Sequence, residues 1–308
     1  MRLLSWKTAA LFSAGLILVR GWTRPRYDFR YETVLITGGS RGLERARADL
    51  APERVFTQVC DVTVPPDVAA FPVALRAELG PVDVLVNNAG VIEVGPARPM
   101  NLEDFEQAMQ THFYTPLRFI LALQDELRKR RGRIINIGSV GGKLPVPHLL
   151  PYDASKFARV GLSEGLPVEL QKSGVTETTV CPSLMRTGSH GRGWFKGKAS
   201  TESGWFTVSG SIPYLTIASA AGAKQLVEAR RVGKPELIIT GRARLASRVH
   251  GLAPNLSLRL LSLVNAVLPD AEGSRTFRPV EGRTLDMPWT RSILTLLTRR
   301  AARKNREA

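Results

Sequence analysis

Tyr152 and Lys156 carry the most specific chemistry in the sequence. They stand at i and i+4 of a helical pattern running from His148 to Lys172, so one helix face holds both. An ammonium beside a phenol favours the phenolate and lowers its pKa from ~10 toward neutrality. Tyr152 would then give and take a proton near neutral pH. Ser139 lies thirteen positions earlier, after the apolar run Arg133–Gly138 (RIINIG). A hydroxyl there can hold a carbonyl oxygen for that proton. By itself a Tyr–Lys pair is more often a surface contact, so the weight falls on what accompanies it.

Two glycine-bearing turns accompany it. Thr37-Gly38-Gly39-Ser40-Arg41-Gly42 follows the apolar run Thr33–Thr37 and opens a helical pattern. Glycines there let a backbone approach a diphosphate, and a helix N-terminus favours its negative charge. The plain alternative is a tight strand-to-helix turn. Asn87-Asn88-Ala89-Gly90 ends the run Val82–Asn87. Open parallel sheets bind ligands outside the carboxyl ends of their strands, and Gly90 leaves room for one.

The elements that must position these residues are short and regular. Thr33–Thr37, Val55–Cys60, Val82–Asn87, Arg133–Gly138, Glu177–Cys181 and Glu236–Thr240 read as strands. Helical patterns run between them, the longest from an Asn101 N-cap to Arg130, and another over Ala218–Arg231. This alternation predicts an α/β fold, a doubly wound parallel sheet of six strands with right-handed crossovers. Gly188 to Pro213 is rich in Gly and Ser and carries Trp194, Phe195, Trp205 and Phe206. It reads as a mobile lid over a lipophilic substrate, or as a flexible surface loop. Leu256–Leu268 is an apolar helical run. The expected organisation is a hydrophobic and basic segment over 1–30, a catalytic domain over 31–245, and a helical extension with a basic tail over 246–308.

With 308 residues, 44% of them hydrophobic, the chain can bury a sizeable core, which excludes disorder as its overall state. Cys60 and Cys181 have no metal spacing and make no disulfide framework, which suits a reduced, cytosol-facing protein. The formal net charge of +16 attracts polyanions, but no nucleic-acid module accompanies it, so no specific nucleic-acid partner is expected. Leu3 to Val19 is apolar except for Lys7, and Arg20, Arg24, Arg26 and Arg30 follow. This segment reads as a membrane anchor or interfacial helix, ahead of an amphipathic packing helix and a cleaved signal. The following arginines would keep the catalytic part on the cytoplasmic face of a membrane; without an anchor it would lie in the cytoplasm. Trp289 to Leu297, followed by Arg299 and Arg300, reads equally as a stretch lying on an anionic membrane or as a disordered basic tail.

Taken together, Thr-Gly-x-x-x-Gly, Asn-Asn-Ala-Gly, the serine and Tyr-x-x-x-Lys resemble the short-chain dehydrogenase/reductase family, over about Thr33 to Thr240. Cys181-Pro182-Ser183-Leu184-Met185-Arg186-Thr187 is similar to the family's Pro-Gly segment, with Ser183 in place of Gly. The resemblance implies a nicotinamide-dependent oxidoreductase that interconverts a carbonyl and a secondary alcohol. Tyr152 would be its acid/base. Lys156 would lower the phenol's pKa and bind the nicotinamide ribose, and Ser139 would hold the carbonyl. Cofactor contacts would come from Thr37, Gly38, Ser40, Arg41, Gly42, Asn88, Ala89 and Gly90, with Asp61 and Val62 at the adenine and Thr187 at the carboxamide. Arg41 resembles the basic residue of NADP-preferring members, which favours NADP over NAD. The family's common assemblies imply a homodimer or homotetramer.

Further departures from the family pattern are two residues and a missing unit. Glu44 stands where the glycine motif has its last Gly. His112 replaces the asparagine of the catalytic tetrad, and a histidine can also relay protons. Only one strand, Val55–Cys60, is visible between Thr37 and Pro65, so a whole β–α unit is missing. The remaining strand should then pair directly with Thr33–Thr37, with Asp61 in the position that meets the adenosine ribose. The rival reading is a non-catalytic relative, a binding module or an impaired deletion variant, that has lost cofactor binding and carries an unpaired sheet edge.

Overall fold

Alternate residues of the apolar runs face opposite sides of one parallel sheet. The computed structural model describes residues 27–38, 55–270, 277–285 and 295–304. The sheet strands are β1 (Val34–Ile36), β2 (Val84–Asn87), β3 (Arg133–Ile137), β4 (Thr176–Cys181) and β5 (Glu236–Ile238). They lie in the order β1-β2-β3-β4-β5, every pair parallel. The helices are α1 (Pro65–Leu79), α2 (Leu102–Met109), α3 (Thr115–Arg130), α4 (Leu150–Leu170), α5 (Ala199–Ser209), α6 (Ser219–Arg231), α7 (Gly241–Leu252), α8 (Pro254–Ala266) and α9 (Leu296–Lys304).

Leu35, Leu85 and Ile134 point to one face, where α1 and α3 bring Val68, Leu75, Phe119, Leu123 and Leu127, and α4 adds Leu162 and Leu166. Val84, Ile135, Val180 and Leu237 point to the other face, covered by Leu226 and Ala229 of α6. The doubly wound arrangement is therefore present, with one correction. The crossovers through α3 and α4 and the crossover through α6 step in the same direction across the sheet but lie on opposite faces. They therefore have opposite hands, and the right-handed rule does not hold throughout. That rule rests on a strand feeding a helix that returns directly to the sheet. Residues 182–218 instead make a long excursion before α6 begins.

The strand count is also corrected. Among the described residues the sheet has five strands, not six, and Val55–Cys60 forms no ladder. Phe56 and Cys60 pack against the first-face core, while Gln58 and Val59 are exposed, so burial along this run does not alternate. An apolar run places side chains on a core, but it does not supply backbone partners. On the second face Val34 and Ile36 of β1 remain exposed.

The pattern from Asn101 to Arg130 is one helix with a widened turn. Asn101 accepts a hydrogen bond from the Asp104 amide at 3.2 Å, and Asp104 accepts one from the Asn101 amide at 2.7 Å. This reciprocal pair satisfies orphan donors of the first turn. Residues Gln110–Tyr114 form a π-helical turn between α2 and α3, with His112 at its centre.

Gly188–Pro213 is not a structureless loop. Trp194–Phe195 is the middle strand of a small sheet, parallel to Glu93–Val94 and antiparallel to Val280–Glu281, and α5 follows. Phe195 and Phe206 are buried with Val94 and Leu149. Lys196, also buried, holds both carboxylate oxygens of Asp104 at 2.5 and 2.6 Å. Helix α7 runs across the expected boundary at residue 245, and α8 matches the apolar run at 256–268. Among the described residues no helix is long and apolar enough to cross a membrane. Residues 3–19 and 289–294 lie outside the described ones.

Leu123 is fully buried between α3 and the sheet. Leu123→Ala is expected to lower the free energy of unfolding by about 3 kcal/mol, read from the urea midpoint at unchanged slope.

Candidate active site

The carboxyl ends of all five strands open into one cleft of ≈ 2330 Å³. It is lined by Thr37, Gly38, Asp61, Val62, Asn88, Ala89, Gly90, His112, Ser139, Tyr152, Lys156 and Thr187. Every candidate site residue within the described part of the chain is thus in one place. Ser40, Arg41, Gly42 and Glu44 lie outside the described residues.

The two turns at the ends of β1 and β2 are locked together. The Thr37 hydroxyl oxygen accepts from the amides of Asn88 at 3.0 Å and Ala89 at 3.2 Å, and the Asn88 side chain donates to the Thr37 carbonyl at 3.2 Å. Gly38 has φ +76, and a Cβ there would lie 2.6 Å from the Ala89 Cα. Glycine is required by both conformation and space. Asp61 turns back on its own loop, its carboxylate accepting from the Thr63 amide at 2.9 Å and hydroxyl at 2.7 Å. Thr115 fixes that loop by donating to the Val62 carbonyl at 2.5 Å.

Ser139 ends β3 and caps the short 3₁₀ turn Val140–Gly142, accepting from the Gly141 amide at 3.0 Å. Tyr152 and Lys156 follow one helical turn apart on α4. The Lys156 ammonium nitrogen donates to the Ile137 carbonyl at 3.1 Å and sits 5.4 Å from the Tyr152 ring centroid. Burial pushes the Tyr152 phenol up to about 12; its hydrogen bond with Ser139 and the charge of Arg159 pull the other way. Lys156 is held well below its ordinary value, first by burial and then by Arg159. The sequence pairing predicted a phenol lowered by Lys156. In the structure both groups are shifted toward their neutral forms, because desolvation outweighs the pairing.

His112 is fully buried and packs edge-on against the Tyr152 ring at 5.3 Å. Its Nε2 accepts from the Val91 amide at 3.1 Å, which leaves the proton on Nδ1, 2.7 Å from the Ser155 hydroxyl. Ser155 in turn donates to the Tyr152 carbonyl at 2.8 Å. Burial and the nearby cations Lys156 and Arg159 hold the imidazole well below its ordinary pKa. Both nitrogens are engaged, so the ring braces the Asn88–Gly90 turn against the catalytic helix and has no nitrogen left over for a relay. Thr187 lies at the cleft, its hydroxyl donating to Ser189 at 2.9 Å.

Sequence reading missed the support beneath these groups. Arg159, 1% exposed, donates to the carbonyls of Ala89 at 3.2 Å and Asn87 at the end of β2. Asn87 donates to Asn136 at 2.8 Å, and Asn136 donates to Ser163 at 3.1 Å and to Glu177 at 3.2 Å. Asp153 accepts from the Val146 amide at 2.6 Å, and burial pushes its carboxyl up to about 8. A signal for Arg159 was available, because it lies on the Tyr152 face at i+7.

Comparisons with known proteins identify the family. The short chain dehydrogenase family model matches residues 34–192, about half of the chain. The chain belongs to the short-chain dehydrogenase family. It is 39% identical over 132 residues to a putative ketoacyl reductase of granaticin polyketide synthase from Streptomyces violaceoruber, 42% of this chain and 48% of that protein. It is 31% identical over 181 residues to 3-oxoacyl-(acyl-carrier-protein) reductase FabG of Vibrio cholerae, 51% of this chain and 74% of that protein. Human estradiol 17-beta-dehydrogenase 11 matches at 35% over 174 residues, 53% of this chain and 57% of that protein. The chain spans about half the length of the first of these curated relatives. A crystal structure of a short-chain dehydrogenase from Streptomyces avermitilis superposes with a TM-score of 0.65 at 25% identity, over 78% of this chain and 99% of that one.

Glu177 supplies a pH test of the buried support. Burial raises its carboxyl from 4.5 to about 8, so the folded protein binds this proton more tightly than the unfolded chain does. Its effect on stability is favourable at low pH and is lost as pH rises through this window, between about pH 5 and pH 8. Glu177→Gln keeps the acceptor for Asn136 and Ser163. It should flatten that decline and melt higher than the parent above about pH 8, seen in thermal melts across the range.

Proposed function

We propose that the chain catalyses reversible hydride transfer between a nicotinamide dinucleotide and a carbonyl or secondary alcohol. The observation that carries the reading is the convergence of Ser139, Tyr152 and Lys156 at the strand ends, beside the locked Thr37–Gly38 and Asn88–Gly90 turns. The residues fit such a cofactor. Lys156 has three N–H donors, and its described hydrogen bond uses one, to Ile137. The others would hold the nicotinamide ribose hydroxyls. Asn88, Ala89 and Gly90 would border the same end, Asp61 and Val62 the adenine end, and Thr187 the carboxamide. When bound, the cofactor supplies or accepts the hydride.

The protein's own groups handle the proton and the orientation. Ser139 donates to the carbonyl oxygen and fixes it near the Tyr152 hydroxyl. Tyr152, whose proton is held up to about 12, delivers that proton as the oxygen becomes an alkoxide. In the reverse direction it receives the alcohol proton. Lys156 would carry its charge with an anionic dinucleotide held beside it, and in that form it would lower the phenol. His112 keeps Tyr152 and the Asn88–Gly90 turn in register through Ser155 and Val91. The walls formed by Val146, Leu149, Trp205, Phe206 and Leu215 suit a lipophilic substrate. NADP is favoured over NAD because the Arg41 guanidinium matches a 2′-phosphate. A homodimer or homotetramer working in the cytoplasm, or on the cytoplasmic face of a membrane, completes the reading.

Titration with NADPH and NADH, followed by fluorescence, tests the cofactor. Binding of neither at millimolar concentration would make the chain a non-catalytic relative. With a lipophilic ketone, Tyr152→Phe should lower kcat by about 10²–10⁴-fold while leaving cofactor binding in place. Turnover unchanged by that substitution would overturn the mechanism.

A further inference from the structure

Helices α7 and α8 form a hairpin that is anchored at the start of α7, where Ala243 is buried against Val160, Cys181 and Ile238, while α8 is exposed along nearly its whole length among the described residues. The His250 ring nitrogen and the Ser257 hydroxyl join the two helices across the elbow at 2.6 Å. Along α8 only Ser257 is buried. Leu256, Leu260, Leu263, Val264 and Val267 are between 48% and 83% exposed. At helical periodicity these five fall in one stripe about 100° wide, the width that normally faces a core. On α7, Leu245 and Val249 lie at i and i+4, and Leu252 at the elbow is 88% exposed. Each helix thus carries an apolar stripe that no described residue covers, beyond the scattered apolar residues ordinary on a protein surface.

The charges beside it are of one sign. From residue 237 to residue 269 the sequence contains no Asp or Glu, while Arg242, Arg244, Arg248 and Arg259 lie on the two helices. Arg248 and Arg259 fall at the margins of the stripes. Pairing with a second copy of this surface would set arginine against arginine with no carboxylate between them. An anionic lipid surface satisfies both features, taking the leucines into its acyl boundary and the guanidinium groups among its headgroups. The hairpin also borders the cleft, which is lined by Arg242, Ala243 and Ala246 of α7.

We infer that the α7–α8 hairpin is an interfacial membrane-docking surface that lies flat on an anionic bilayer and turns the mouth of the cleft toward the lipid. The docking itself is independent of the oxidoreductase reading; delivery of a lipophilic substrate from the bilayer rests on it.

The test uses the full chain carrying Cys60→Ser and a single added cysteine, Leu263→Cys, labelled with nitrobenzoxadiazole. A second protein carries the label at Val168→Cys, an exposed site on α4. With phosphatidylcholine vesicles containing phosphatidylglycerol, the label at 263 should shift to the blue and that at 168 should not. Partitioning should be about tenfold stronger than to phosphatidylcholine alone, and Arg248→Gln with Arg259→Gln should remove that preference. Equal shifts at 168 and 263, or none at 263, would overturn the proposal. So would blue emission in buffer alone: growing with protein concentration it would identify a second copy, and independent of concentration a segment of the same chain. Cofactor titration of the labelled protein keeps this result separate from the catalytic reading, because docking without cofactor binding leaves the surface standing and the enzyme refuted.

Discussion

A buried guanidinium ties the catalytic helix to the sheet. Arg159 reaches from α4 to two carbonyls at the end of β2, where the chain leaves the sheet and enters the Asn88–Gly90 turn. Carbonyls at a strand end have no ladder partner once the chain turns away, and a charged donor satisfies them more strongly than a neutral one. The relay continues sideways through Asn87, Asn136, Ser163 and Glu177, spanning β2, β3, β4 and α4. A buried polar group left alone is costly, so each member requires the others. Tyr152, Lys156 and Ser139 inherit their positions from that requirement.

The same burial determines how the site is poised. Desolvation acts in opposite directions on the phenol and the ammonium, raising the first and lowering the second. Arg159 remains as the permanent positive charge nearby, itself lowered only to about 10. Both groups are thereby shifted toward their neutral forms, the phenol keeping its proton and the lysine losing its own more easily. His112 acts by geometry. The π turn moves its ring to where one nitrogen meets Val91 and the other Ser155, so substrate-side and helix-side elements share one brace.

The segments on either side of α6 follow different logics. The substrate-side wall is packed: Phe195, Phe206 and the Lys196–Asp104 pair fix it to α2 and the small sheet. The α7–α8 hairpin beyond it is the reverse, with well-formed helices whose apolar stripes meet little of the protein. Helices of this kind gain their stability from covering an apolar face, and this face lies at the surface.

Much of this was legible in the sequence. Apolar runs, glycine turns and the Tyr–Lys spacing report local requirements: backbone freedom at Gly38, one helix face for Tyr152 and Lys156, inward alternation at Val84–Asn87. Each depends on neighbours within a few residues, so the sequence determined them, and the strand ends then had to bring them to one rim. Tertiary structure decided what depends on distant partners. Val55–Cys60 has strand patterning but pairs with no strand among the described residues. The Gly- and Ser-rich stretch at 188–213 looked loose until Phe195 and Lys196 met Val94 and Asp104. Desolvation set the protonation of Tyr152 and Lys156 against what their spacing suggested, because it is a property of everything packed around them and no short pattern contains it.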